Sequence, residues 1–255
     1  MSLRIATILF ALHCLLTACN AYTCEVIPGS LVQIDVGNGQ VVGVNKDDNI
    51  YTLYGSTWTQ INGKLKHVTV GQAGTWGVNS ADNIFKLAAG SWVQVPGLLK
   101  QIDAGGDQFV AGCNHDDVPF CLTVGYIGEN NPVSWASLPG KLKYYSCGPY
   151  SCWGINSQDH IFMRKGVDSL HCQGVGDWQT IAGSLSMIEV GGDGSVYGVN
   201  SAGNVFRRDS TSPCKPEGDG WTQINIHYGQ VKHVSYDMGH LWIILKDDTI
   251  YNCKV

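Results

Sequence analysis

The chain has 255 residues, a formal net charge of −5 and only 15% charged side chains. This balance supplies no basic cluster for nucleic acid or an anionic membrane, while 44% hydrophobic content excludes a disordered chain. Thirty-two glycines and eight tryptophans, with few long aliphatic runs, suit many short strands joined by tight turns.

In chain order, the first segment reads as a secretory signal. Arg4 precedes an apolar stretch from Ile5 to Leu16, and Thr17, Ala18, Cys19, Asn20 and Ala21 form a small-residue cleavage region. Residues 1–21 are therefore expected to be removed, leaving a secreted domain over 22–255. A competing match is a bacterial lipoprotein box at Leu16 to Cys19. No later apolar run approaches membrane-spanning length, so membrane insertion is not expected.

The remainder repeats. Trp58, Trp92, Trp135 and Trp178 each open a Trp-x-x-apolar-x-Gly-x-Leu segment, ending at Leu65, Leu99, Leu142 and Leu185, and Trp221 begins another. From Trp92 onward the spacing is 43 residues. A β-branched strand ending in glycine follows, as at His67–Gly71 and Met187–Gly191. A hairpin pattern comes next, from Trp76 to Phe85, Trp153 to Phe162 and Tyr197 to Phe206, with an Asn/Asp/Gly turn between period-two strands. Counting from Val42 to Tyr51 and on to Trp242–Tyr251 gives six such hairpins, the third distorted around His115, Asp116 and Asp117. Six units of roughly forty residues predict an all-β, six-bladed β-propeller.

Aligning Ile27, Gly29 and Leu31 with Ile61, Gly63 and Leu65 places Cys24 at a Trp position. The N-terminal segment is then an outer strand whose inner strands lie at the C-terminus, and ring closure brings Cys24 beside Cys253. With Cys14 and Cys19 in the signal, eight cysteines remain, an even set suited to disulfides in an exported chain. Position predicts Cys24–Cys253, Cys113–Cys121 and Cys147–Cys152, with Cys172–Cys214 joining outer loops of adjacent blades.

The Trp-x-x-Ile-x-Gly-x-Leu run followed by Trp-Gly-Val-Asn-Ser-x-x-x-Ile-Phe resembles the tectonin repeat, and the stretch from Tyr22 to Val255 resembles the tectonin-type fish-egg lectins. The resemblance implies non-catalytic recognition of glycans, particularly N-acetylglucosamine and bacterial lipopolysaccharide, in egg protection or innate immunity. It also implies calcium in some members, with no cofactor required, and pairing into a homodimer is compatible with it. Departures at Cys24, Tyr197, the third hairpin and Ile243–Leu245 mean that the blades are not equivalent.

Among the residues themselves, no Gly-x-Ser-x-Gly or His-Glu-x-x-His motif is present. Repeated carboxylates such as Asp47, Asp82 and Asp159 read as turn formers, so no enzyme is expected. The outer tryptophans and repeated Asn45, Asn79, Asn156 and Asn200 read as packing and turn residues. Trp76, Trp153, Asp107 and Asp193 are the expected sugar contacts near one mouth of the ring, since a pyranose needs an aromatic face and planar polar groups. Asp103, Asp107 and Asp193 are the oxygen donors considered for calcium. The rival to a lectin is a protein-interaction scaffold with no sugar pocket.

Overall fold

The computed structural model describes residues 22–123 and 133–255. The expected signal, residues 1–21, lies outside the described residues. Strand β1 (Thr23–Ile27) stands alone at the start. Blade 1 follows as β2 (Gln33–Gly37), β3 (Gln40–Val44), β4 (Asn49–Tyr54) and β5 (Thr57–Lys64); blade 2 as β6 (His67–Gly71), β7 (Gly74–Val78), β8 (Asn83–Ala88) and β9 (Ser91–Leu98). Blade 3 contains β10 (Gln101–Asp103), β11 (Phe109–Cys113), β12 (Pro119–Thr123) and β13 (Ala136–Ser137). Blade 4 contains β14 (Tyr144–Cys147), β15 (Ser151–Ile155), β16 (Ile161–Lys165) and β17 (Val175–Ile181). Blade 5 is β18 (Met187–Val190), β19 (Val196–Val199), β20 (Val205–Arg208) and β21 (Trp221–Ile224), and blade 6 begins with β22 (Val231–Asp237), β23 (His240–Leu245) and β24 (Ile250–Lys254).

Each blade is a four-stranded antiparallel meander, and β1 pairs with β24 to complete the sixth. Cys24 lies opposite Cys253 in that pairing and is disulfide-bonded to it. The expected six-bladed closure is therefore observed. Apolar residues between neighbouring sheets form the core: Trp76, Ile84, Ile102 and Val110 are buried together between blades 2 and 3, and Trp153, Ile161, Ile188 and Val196 between blades 4 and 5.

The hairpin between the second and third strands has a fixed chemistry. In blade 1 the Asn45 side chain accepts hydrogen bonds from the backbone N–H groups of Asp47 and Asn49, and Asp48 takes a left-handed φ of 60°. Asn79, Asn114 and Asn156 do the same in blades 2, 3 and 4. These are side-chain turns, as their recurrence indicated. Lys66–Asp82, Lys100–Asp117, Lys143–Asp159 and Lys232–Asp248 then tie the tip to the start of the innermost strand in blades 2, 3, 4 and 6.

Cys147 and Cys152 face each other across β14 and β15 and are bridged, as expected. The other two expected bridges are corrected. Cys121 bonds to Cys172, which the long loop of blade 4 carries across to blade 3. Cys113 cannot serve because β11 and β12 pair it with Pro119, two residues out of step with Cys121. It remains a buried free thiol, its pKa pushed up by burial first. Cys214 is free and exposed. The position of blade 4 equivalent to Cys121 is Met163, so Cys214 meets no cysteine where Cys172 meets one.

Candidate functional site

The innermost strands present two layers of side chains to the central channel. The first contains Gln33, His67, Gln101, Tyr144, Met187 and His233; the second contains Asp35, Thr69, Asp103, Ser146, Glu189 and Ser235. Carboxylates in blades 1, 3 and 5 alternate with hydroxyls in blades 2, 4 and 6. An innermost strand has one edge without a sheet partner, and its buried N–H groups need acceptors. The neighbouring blade provides them. Val70 N donates to Asp35 (2.6 Å), Ala104 N to Thr69 (2.9 Å), Cys147 N to Asp103 (2.9 Å), Val190 N to Ser146 (3.0 Å) and Val36 N to Ser235 (3.0 Å). Gln33 makes a two-way clasp with the backbone of Val68, and Gln101 the same with Tyr145.

Beyond the carboxylates a cavity of about 420 Å³ opens, lined by Asp35, Asp103 and Glu189 with Gly37, Gly71 and Asp237. Burial, then repulsion from Asp35, pushes the Asp103 carboxyl up to about 8; Asp35 and Glu189 are also raised, by burial first. On the other side of this layer the rings of His67, Tyr144 and His233 stand edge-on to one another, with centroids 6.0, 6.3 and 6.4 Å apart. Burial lowers His67 to about 3 and His233 to about 4, so both are neutral.

A different concavity lies on the outer part of the blades. In blade 1, Trp58 and Tyr51 form aromatic walls, and the linker Gly29-Ser30-Leu31 with Asn45 supplies the rest of a groove of about 300 Å³. In blade 5, Trp221 and Phe206 meet Gly183-Ser184-Leu185 around about 170 Å³. The indole N–H donates to the linker carbonyl, Trp58 to Pro28 (2.9 Å) and Trp221 to Ala182 (3.0 Å), which fixes the ring plane. Trp58, Tyr51, Phe206 and Trp221 remain partly exposed. Both linkers carry serine where the equivalent positions elsewhere carry Lys64, Leu98 and Lys141. The same two blades lack the lysine of the hairpin ion pair, having Val32 and Ser186 in its place. Two departures from the repeat thus coincide at the two grooves.

The four expected sugar contacts are not brought together. Trp76 and Trp153 are 0% exposed, so no sugar can reach either ring, and each indole N–H is used internally, by Ala73 O and Ser151 Oγ. This is a correction: the position after the innermost turn faces the core between blades, not the mouth. Asp107 is half-buried in the loop before β11, and Asp193 is exposed, its Oδ1 accepting from Ser195 N (2.8 Å) as a turn former. Of the His115-Asp116-Asp117 cluster, Asp117 pairs with Lys100. Among the described residues no three His, Cys, Asp or Glu side chains stand in metal-binding geometry, and Asp103, Asp107 and Asp193 do not converge.

The Tectonin domain matches residues 30–246. The chain is 56% identical to the fish-egg lectin of Cyprinus carpio over 234 residues, covering 90% of this chain and 98% of that one. Among solved structures it is similar to a gluconolactonase from Xanthomonas campestris, with TM-score 0.68, 8% identity and coverage of 91% and 89% of the two chains. It is likewise similar to virginiamycin B lyase from Staphylococcus aureus, with TM-score 0.59, 13% identity and coverage of 92% and 99%. At such identities the likeness to these two is one of fold alone. Repeat, six-bladed ring and sequence identity agree: the chain belongs to the tectonin family.

Proposed function

We propose that this protein is a secreted, non-catalytic lectin that reads N-acetylglucosamine-type sugars, including those of bacterial lipopolysaccharide, through the grooves of blades 1 and 5. The observation that carries the reading is the groove itself: a partly exposed indole, a second aromatic ring, a serine and linker backbone arranged alike in two blades. An aromatic face takes the apolar side of a pyranose, and the hydroxyl and peptide groups suit its polar substituents. Two weak sites on one chain raise avidity for a surface that repeats the sugar, and a homodimer would raise it further. The fish-egg lectin relative supports the class of ligand, and an egg or egg fluid with a role in innate defence is the setting that fits it. The disulfides suit an oxidising extracellular compartment.

Calcium, the ion that the family resemblance implies, does not find a built site in the channel: Asp35, Asp103 and Glu189 line one cavity, but no three such side chains among the described residues stand in metal-binding geometry, and the oxygens of Asp35 and Asp103 already accept hydrogen bonds from the neighbouring blades.

The test is retention of the oxidised protein on immobilised N-acetylglucosamine and its elution by free sugar, with and without calcium. Ser30→Lys with Ser184→Lys installs the residue that Lys64 and Lys141 already place at equivalent linkers, so folding is retained, and binding should fall at least tenfold. Retention unchanged in the double variant would remove the grooves from the mechanism. No retention of the parent protein would favour a protein-interaction scaffold.

A further inference from the structure

The linker entering blade 6 differs from every other. Elsewhere the outer-strand aliphatic and the next inner aliphatic are four positions apart, as in Ile61 and Leu65 or Ile181 and Leu185; here Ile224 and Val231 are seven apart. The anchor is nevertheless kept. Val231 N donates to Gly203 O (3.1 Å), as Leu65 N donates to Asp48 O (3.0 Å), so the extra residues bow outward. The bow is fastened at two points. Tyr228 stacks on Tyr251 with centroids 4.5 Å apart and an interplanar angle of 19°, covering a ring that the missing sixth tryptophan would otherwise flank. Lys246 binds Gln230 through both backbone N–H (2.9 Å) and ammonium (2.9 Å).

Beneath the bow lies a pocket of about 200 Å³ whose lining includes Gly203, Asn204, Gln223, Asn225, His227 and Gln230. Gly203 stands where blades 2, 3, 4 and 6 have the aspartate of the hairpin ion pair, and Ser186 stands where they have its lysine, so nothing charged fills the space. No carboxylate, ammonium or guanidinium lines it. Its walls are amide side chains and the imidazole of His227, able both to donate and to accept, with Gln230 fastened by Lys246.

We propose that this pocket between blades 5 and 6 is a third ligand site, for a neutral polyhydroxylated or acetamido-bearing group such as a sugar ring. Uncharged amides match hydroxyl pairs without the desolvation cost of an ionised side chain, and with no Trp, Tyr or Phe in the lining selection rests chiefly on hydroxyl geometry. The site differs in kind from the grooves of blades 1 and 5, which grip an apolar face. The class of ligand rests on the lectin reading, whereas the site itself does not.

The experiment is titration of ¹⁵N-labelled, oxidised protein with N-acetylglucosamine, galactose and mannose in turn, into the tens of millimolar, followed by amide chemical shifts. Saturable shifts at Asn204, Gln223 and Asn225 for at least one sugar, persisting in the Ser30→Lys/Ser184→Lys variant and lost in Asn225→Leu, are expected. Shifts confined to the grooves, or no shift at these three residues for any of the three sugars, overturn the proposal. Groove and pocket are read separately, so shifts around Trp58 and Trp221 judge the lectin reading by themselves.

Discussion

His233 shows how much a single buried ring can couple this fold to pH. Its Nε2–H donates to Ile34 O across the closure between blades 6 and 1 (2.8 Å), and the surroundings lower its pKa from 6.5 to about 4. The unfolded chain takes up a proton below about pH 6.5 while the folded chain does not, so stability is fully present above that value and is lost as pH falls toward 4. At pH 5 the loss is about 2 kcal/mol from this residue, and His67, lowered to about 3 by burial first, acts in the same sense. The raised carboxyls Asp35, Asp103 and Glu189 act in the opposite sense, their share falling as pH rises from about 4. His233→Gln keeps a donor for Ile34 and should abolish the share of His233 while leaving that of His67, seen as a smaller drop in urea midpoint between pH 7 and 5 than in the parent. An equal drop in both would place the acid sensitivity elsewhere.

Among the elements, the linker between blades is the most constrained. Gly97 has φ +124°, and a Cβ there would stand 2.7 Å from Trp135 Nε1, which itself donates to Pro96 O (2.8 Å). Gly97→Ala should cost about 2 to 3 kcal/mol through combined strain and displacement of the indole. Gly55→Ala, at φ +62° with nothing within 4 Å, should cost only about 1 kcal/mol in the same denaturant series. Equal costs would mean that the glycine–indole contact carries no energy. The residue types were readable in the sequence, because Trp-x-x-Ile-x-Gly-x-Leu carries both, but the pairing was not, since the glycine of one copy meets the tryptophan of the next. The grooves were less readable: a tryptophan that packs on a linker and leaves one face open has the same spacing as one that only packs. The signal that could have found them is the pair of departures at Ser30 with Val32 and Ser184 with Ser186. Trp76 and Trp153 were misplaced because an aromatic after the innermost turn fits mouth and core alike, and only the sheet-to-sheet packing decides.

At the scale of the molecule, closure rests on one strand. β1 pairs with β24 along its length, and the Cys24–Cys253 bridge spans a sequence separation of 229 residues. In the chain-entropy picture this loop contributes about 5 kcal/mol. Replacing both cysteines by serine should lower stability by up to that amount in urea unfolding, and a variant as stable as the parent would show that strand pairing alone holds the ring. This bridge was legible because ring closure leaves the two ends one place to meet, and Cys147–Cys152 because they flank one turn. Cys121–Cys172 was not, since it depends on a loop crossing from one blade to the next, which no repeat alignment reveals.

Blades 5, 6 and 1 are consecutive around the ring, with β22 touching both β18 and β2. The groove of blade 5, the amide pocket and the groove of blade 1 therefore occupy a single arc centred on the closing blade. A particle coated in the matching glycan would be met along that arc, on the side of blade 6. Blades 2, 3 and 4 would then face away from the coat, free to contact a second particle or another molecule of the host.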